Sequence, residues 1–245
     1  MAKHGKTYTE TKAQVDRERE YLPAEAIALV KSLKRAKFDE SVEVHIRTGL
    51  NVRHADEQLR GTIALPNGLG KDVKIAVFAK GPKAAEAEAA GADIVGADDL
   101  AKKIEEGFMD FDVAIATPDM MPVVGRLGRI LGPSGKMPNP KVGTVTMDVA
   151  KAVEESKSGK VEYRTDRTAI VHLNIGKTSF DERQLLENYA AVIEELVRAK
   201  PSAAKGRYLR TVTIASTMGP GIKVDPSRTR DILGLESGEN AAAAA

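Results

Sequence analysis

The residues best suited to binding chemistry lie near the end of the chain, in Thr217-Met-Gly-Pro-Gly221. Thr217 offers a hydroxyl, Gly219 leaves its peptide group uncovered, and Met218 carries a polarisable side chain that can contact a flat ring or a sugar. No acidic residue occurs from Lys200 to Lys223, whereas five basic residues do. This composition fits contact with a polyanion. It fits equally well a strand end with a tight turn and a solvated charged face.

A second stretch with binding potential is Lys160-Val-Glu-Tyr-Arg-Thr-Asp-Arg-Thr168. On a strand, Lys160, Glu162 and Arg164 share one face, and Asp166-Arg167 is predicted to turn a hairpin into the next strand. Arginine binds phosphate with two hydrogen bonds, and carboxylates accept from base amino groups or ribose hydroxyls. A ladder of cross-strand ion pairs explains the same residues, so this stretch alone leaves both interpretations open.

A third stretch, residues 125–143, is rich in glycine and proline and belongs to a segment without acidic residues, Met120 to Met147. It does not match a nucleotide-binding phosphate loop, because Met137 follows Lys136 and Ile130 occupies the position of the first glycine. Long loops in compact domains are usually functional or disordered. We therefore expect a basic loop directed toward RNA, with a purely structural connection as the alternative. Its basic residues are Arg126, Arg129, Lys136 and Lys141.

Several classes of chemistry find little support in the sequence. There is no cysteine, which excludes disulfides and thiol catalysis. The four histidines lack metal-ligand spacing, so we expect neither a metal nor a cofactor. The rival function is a small Rossmann-type nucleotide-dependent enzyme. It would need a phosphate-binding fingerprint and a positioned acid–base pair, and the sequence shows neither; we therefore do not expect an enzyme.

Composition predicts a soluble cytoplasmic protein with an ordinary hydrophobic core and no membrane span. Hydrophobic residues make up 42% of the 245 residues, and the formal net charge is +2. Aromatic residues are 4% and tryptophan is absent. Contact with nucleic acid would therefore depend on few rings and more on backbone groups and charge.

The pattern of elements predicts an α/β protein of two domains, one inserted into the other. Ser41 to Thr48 alternates apolar and polar residues as a half-buried strand does, and residues 160–215 return to that pattern around a long helix, Phe180 to Lys200. Between them, apolar strands such as Val73 to Ala79 alternate with helices, which indicates a Rossmann-like three-layer unit. The predicted domains are a discontinuous α/β sandwich domain (residues 1–67 and 159–228), the inserted domain (68–158) and a flexible tail (229–245).

Charge is divided unevenly between these predicted domains. Residues 68–158 carry 12 basic and 14 acidic residues, a net charge of −2, and the remainder carries 25 and 21, a net charge of +4. The discontinuous domain is therefore the expected anion-binding one.

Three stretches taken together resemble the bacterial family of large-subunit ribosomal protein L-one. They are Lys37-Phe-Asp-Glu-Ser-Val-Glu-Val-His45, Gly128-Arg-Ile-Leu-Gly-Pro-Ser-Gly-Lys-Met-Pro-Asn-Pro-Lys141 and Thr217-Met-Gly-Pro-Gly221. The resemblance runs along residues 3–228 and implies the same two-domain architecture. It also implies that the discontinuous domain binds large-subunit ribosomal RNA. The implied RNA contacts are Lys37, Phe38, Ser41, Glu43, Arg164, Asp166, Arg167, Thr168, Thr217, Met218 and Gly219.

The same resemblance implies a place and a role for the protein. Members of this family form the mobile stalk beside the tRNA exit site, where they assist release of deacylated tRNA, and some repress translation of their own operon messenger. The implied partners are ribosomal RNA, exit-site tRNA and that messenger, with the protein a monomer within the cytoplasmic ribosome. Ser41 is often threonine in the family and Arg167 often lysine. Both replacements keep the hydroxyl or the charge.

Overall fold

The computed structural model describes residues 5–202, 204–229 and 232, and this part of the chain divides into two compact units. The first unit contains the described residues up to Gly70 and from Tyr163 onward, and the second is Lys71–Glu162. Within the described residues, no helix is both long enough and apolar enough to cross a lipid bilayer. The fold is mixed α/β, as the sequence predicts.

Helices and strands are interspersed along the described chain. The α-helices are Lys6–Ala13 (α1), Pro23–Ser32 (α2), Pro82–Ala89 (α3), Asp98–Glu105 (α4), Met121–Arg126 (α5), Gly128–Leu131 (α6), Val149–Lys157 (α7) and Glu182–Arg198 (α8). The β-strands are Ser41–Thr48 (β1), Arg60–Ala64 (β2), Ile75–Phe78 (β3), Ile94–Gly96 (β4), Val113–Ala116 (β5), Lys160–Arg164 (β6), Ile170–Lys177 (β7), Leu209–Ser216 (β8) and Ile222–Val224 (β9).

The first unit is built on an antiparallel sheet of strand order β7-β1-β8-β9, covered by α2 and α8. The central strand β1 has the predicted bounds. Its apolar residues Val42, Val44 and Ile46 are fully buried, while the intervening side chains are half-buried or exposed. One face of the sheet therefore forms the core with the helices. The opposite face carries polar side chains, which we call the open face.

The second unit is a parallel sheet of order β4-β3-β5 with a separate apolar core on each face. Ala76 and Phe78 of β3 pack with buried residues of α4, α5 and α6, and Ile75 and Val77 pack with α3 and α7. A strand buried on both faces reads as a continuous apolar run, which explains the sequence of β3. The result is a three-layer arrangement of the predicted Rossmann-like type.

The predicted hairpin around Asp166-Arg167 is wrong. Strand β6 pairs with β2 in a separate two-stranded sheet, whereas β7 pairs with β1. Between the segments that flank the turn there is a single isolated bridge, Thr165 with Val171. The turn itself exists, but it carries the chain from one sheet to another.

Other boundaries differ by smaller amounts. Helix α8 is two residues shorter at each end than the predicted helix from Phe180 to Lys200, and Val197 in its last turn is 43% exposed. The predicted insert spans 68–158, and the structure divides the chain after Gly70 and after Glu162. Of the predicted flexible tail, 229–245, residues 229 and 232 are described, and Ile232 is buried; the remainder lies outside the described residues.

Candidate nucleic-acid interface

The first group of predicted contacts lies where β1 begins and β8 ends. The backbone N–H of Thr217 donates to Ser41 O at 3.0 Å, and the N–H of Ser41 donates to Thr217 Oγ1 at 3.0 Å. Residues that are 176 positions apart in the chain are therefore held side by side. We call this group the Thr217 surface; its members are Lys37, Phe38, Ser41, Thr217, Met218 and Gly219.

A buried carboxylate holds the Thr217 surface together. Glu40 is fully buried, and it accepts hydrogen bonds from the backbone N–H groups of Ala36 at 2.8 Å, Met218 at 3.1 Å and Arg35 at 3.2 Å. Burial by itself would raise the pKa of Glu40, but the neighbouring Ser216 hydroxyl and these N–H groups outweigh it and lower the pKa. The ionised carboxylate thus joins the segment before β1 to the turn after β8.

Further polar contacts brace the same segment. Arg35 Nε donates to Met218 O at 2.8 Å, and Lys177 Nζ donates to Ser41 Oγ at 2.8 Å. Asp39 accepts from the hydroxyls of Ser179 at 2.7 Å and Thr178 at 2.9 Å. These hydrogen bonds from Ser179 and Thr178 lower the pKa of Asp39. None of these supporting residues is predicted from the sequence, because each acts through a distant partner.

The Thr217 surface exposes apolar side chains to solvent. The side chains of Phe38 and Met218 are 53% and 45% exposed, although soluble proteins usually bury such residues. Gly219 lies so close to Ser216 that an added Cβ would be 2.4 Å from Ser216 Oγ. The turn therefore needs glycine at this position, and the bare backbone is open to a close partner.

The second group of predicted contacts forms the loop Arg164–Thr168, which we call the Arg167 loop. Asp166 Oδ1 accepts from the N–H groups of Ile170 at 2.7 Å and Thr168 at 2.8 Å, and Thr168 Oγ1 donates to Asp166 at 2.7 Å. Burial opposes ionisation, but these bonds lower the pKa of Asp166 to about 2. Asp166 and Thr168 therefore shape the turn. Arg164 and Arg167 are exposed, and no other described residue pairs with their side chains.

A surface cavity of about 740 Å³ adjoins the Arg167 loop. Its walls come from the loop itself and from the segment after β1, which contributes Val52, Arg53 and Gln58. The guanidinium of Arg53, like those of Arg164 and Arg167, has no partner among the described residues. Arg53 is not predicted from the sequence, since a lone arginine in a polar loop gives no pattern. The cavity is therefore lined by three arginines together with Asp166, and guanidinium groups are well suited to binding phosphate.

The two groups lie at opposite ends of β1. Ser41 begins the strand beside Thr217, whereas Arg47 is paired with Ile170 and Thr48 N–H donates to Ala169 O at 2.8 Å. Six residue steps along a strand span about 20 Å. The predicted contact Glu43 lies between the two ends on the open face, where it is half-buried.

The second unit brings together only part of its predicted basic group. Lys136 Nζ donates to Met109 O at 3.1 Å and to Phe111 O, and it lies 5.0 Å from the centroid of the Phe111 ring. This ammonium group is therefore occupied inside the unit, contrary to the expectation that it faces RNA. Arg126, Arg129 and Lys141 are exposed, and their side chains have no partner within the described part of the chain.

Among the described residues, no group of three or more histidine, aspartate or glutamate side chains is arranged to hold a metal ion. In the first unit, the exposed features are apolar side chains, unpaired guanidinium groups and an open turn. These are groups that contact bases, phosphates and riboses.

Comparison with protein-family models matches residues 29–220 to the Ribosomal protein L1p/L10e family. The match covers most of the chain. It includes β1, the Arg167 loop and the Thr217 surface, and it confirms the resemblance drawn from the three sequence motifs. Membership indicates a structural, RNA-binding protein of the large ribosomal subunit rather than an enzyme. This chain belongs to the Ribosomal protein L1p/L10e family.

Proposed function

We propose that the first unit binds large-subunit ribosomal RNA directly through the Thr217 surface and the Arg167 loop. The observation that carries this proposal is the buried Glu40 carboxylate, which fixes the Met218 backbone while leaving the Met218 side chain exposed. Burying a charge is costly unless its hydrogen bonds are complete. At Glu40 three backbone N–H groups offset that cost, and one of them belongs to the small surface turn at Met218. A buried charge that fixes a surface turn supports a role for the shape of that turn in binding.

Each end of β1 offers a different kind of contact to RNA. At the Thr217 surface, Phe38 and Met218 provide apolar contact with bases or riboses, and Thr217 and Gly219 provide polar groups for ribose hydroxyls. At the Arg167 loop, Arg164 and Arg167 neutralise phosphates, and Arg53 adds a third guanidinium in the adjoining cavity. Asp166 and Thr168 contribute by holding the loop in shape.

We propose a separate role for the second unit. Its exposed cations Arg126, Arg129 and Lys141 contact the backbone of exit-site tRNA transiently, as the protein forms the mobile stalk and assists release of deacylated tRNA. Support comes from the absence of partners for these side chains within the described residues. Lys136 is excluded from this group because its ammonium is occupied. A messenger of the protein's own operon that presents the same RNA shape would compete for the first unit, and binding it would repress translation.

Thr217→Val tests the proposed ribosomal RNA site. The variant keeps the shape of the side chain of this exposed residue but removes the hydroxyl, which accepts from Ser41 N–H and donates to Ser41 O at 3.4 Å. We expect affinity for purified large-subunit ribosomal RNA in filter binding to fall by about 1–3 kcal/mol, or roughly 5- to 150-fold.

The matched control is Thr146→Val in the second unit, because the Thr146 hydroxyl likewise accepts a backbone N–H, from Asp148 at 3.1 Å. This control should bind ribosomal RNA with unchanged affinity. Equal affinities for wild type and Thr217→Val would remove Thr217 from the site, and a larger loss in the control would move the site to the second unit.

A further inference from the structure

Two histidines from neighbouring strands face each other on the open face of the first unit. His45 of β1 and His172 of β7 are paired in register, and their Nδ1 atoms are 2.9 Å apart. The ring centroids are 5.0 Å apart and the rings are inclined by 64°. Each outer nitrogen has a carboxylate nearby, since His45 Nε2 is 3.8 Å from Glu43 and His172 Nε2 is 3.6 Å from Asp166.

The contact between the rings determines how many protons the pair can hold. A hydrogen bond between two Nδ1 atoms needs one ring to donate and the other to accept. In the neutral pair, the donating ring has a free Nε2, and one further proton can bind there next to a carboxylate. A second added proton would occupy the accepting Nδ1 and break the contact. The observed geometry therefore allows the uptake of one proton.

The surroundings of the pair contain charges of both signs. Glu43 and Arg47 lie on β1, and Asp166 and Arg167 belong to the adjoining loop. On the other side β8 contributes the neutral Thr213, itself paired with Lys223 of β9. Burial is the largest cause that lowers the pKa of His45, the neighbouring imidazole adds to it, and Glu43 opposes both. In the free protein, His45 is therefore mainly neutral at pH 7.

The pair lies between the two ends of the proposed RNA surface. A ligand that touches both the Thr217 surface and the Arg167 loop has to pass over the open face near His45 and His172. There it meets the carboxylate of Asp166, which the turn keeps ionised, and that of Glu43. Because these carboxylates repel a phosphate, a proton on the imidazoles would offset the repulsion.

We infer that the His45–His172 pair is a further contact for a backbone phosphate of RNA, and that it takes up one proton when RNA binds. This inference rests on the proposed function of the first unit. The proton is held more tightly in the complex than in the free protein. RNA affinity is therefore greatest below the titration range of the free protein and is lost as the pH rises through the titration range of the complex.

The test measures binding of the full chain to purified large-subunit ribosomal RNA between about pH 5.5 and 8, at constant ionic strength. For wild type we expect affinity to increase as the pH falls, by at most about tenfold per pH unit for one linked proton. His45→Gln and His172→Gln should lose this dependence. His54→Gln should keep it, since the exposed His54 ring has no partner within the described residues.

A second readout follows the imidazole nitrogens by ¹⁵N NMR at pH 7, and it should show a gain of one proton at the pair on RNA binding. The inference is overturned if wild type and His45→Gln have the same pH dependence, or if the imidazoles stay neutral in the complex. A protein that binds no ribosomal RNA at any pH would instead refute the proposed function, and this inference with it.

Discussion

Replacing Glu40 by glutamine tests how the Thr217 surface is held. Oε1 of Glu40 accepts from the N–H groups of Arg35 and Ala36, and Oε2 accepts from that of Met218. Glutamine has the same shape but one acceptor oxygen. Its best orientation keeps that oxygen on Arg35 and Ala36, and it then points an NH₂ group at the Met218 N–H, donor against donor.

The cost follows from these three bonds. Two bonds lose their charge assistance, at about 1 kcal/mol each, and an unpaired N–H costs about 1–3 kcal/mol. Water can reach the exposed Met218 and relieve part of this penalty. We therefore expect Glu40→Gln to lower the free energy of unfolding of the first unit by about 2–4 kcal/mol at pH 7. Ribosomal RNA affinity should fall about five- to tenfold, since the Met218 turn loses its anchor.

Tyrosine fluorescence during urea unfolding is a suitable assay, because all five tyrosines belong to the first unit. The folded-state pKa of Glu40 lies below 4.5, so its contribution is complete above about pH 4.5 and is lost as the pH falls through the folded-state pKa. The difference in free energy of unfolding between wild type and Glu40→Gln should therefore disappear as the pH falls below about 4.5. The exposed Glu194→Gln is the control and should change stability by less than about 0.5 kcal/mol. Equal stabilities of wild type and Glu40→Gln at pH 7 would refute the reasoning.

Three further predictions follow from single positions. Gly219→Ala places a Cβ 2.4 Å from Ser216 Oγ and should weaken ribosomal RNA binding by about 1–3 kcal/mol, whereas Gly128→Ala, with nothing within 4 Å, should not. Ala169 has a φ of 62°, a conformation that costs a non-glycine residue about 1 kcal/mol. Ala169→Gly relieves this strain, which outweighs the greater flexibility that glycine gives the unfolded chain, and should raise the urea midpoint; a lowered midpoint would contradict this. Lys136→Met removes two hydrogen bonds to carbonyls and should increase amide hydrogen exchange around residues 109–112; exchange equal to wild type would show that Lys136 is free.

The features that the sequence predicts well depend on local periodicity. Strand β1 is recovered to the residue because its alternation of apolar and polar side chains matches a half-buried strand. Helix α8 is recovered within two residues at each end because one apolar stripe continues along it. Val197 is apolar but exposed, because it lies in the last turn of the helix, where the buried stripe ends.

The features that the sequence misses depend on distant partners. Strand β6 pairs with β2, nearly 100 residues earlier, so the local turn at Asp166 misleads. Glu40 bonds with Met218 across 178 positions, and His45 meets His172 across 127. A charged residue has the same appearance in the sequence whether it is solvated or supports a binding turn. The motifs identify the exposed members of the surface, and the structure adds the residues that hold them.

The measurement that tests the central claim most directly compares two pairs of exposed apolar residues. Phe38→Ala with Met218→Ala removes the apolar part of the Thr217 surface, and Ile130→Ala with Met147→Ala removes similarly exposed side chains of the second unit. Since one stacked base is worth about 1–3 kcal/mol, the first double variant should bind purified large-subunit ribosomal RNA at least about tenfold more weakly than wild type. The second should bind like wild type. Equal losses in both, or a loss in the second alone, would contradict the account.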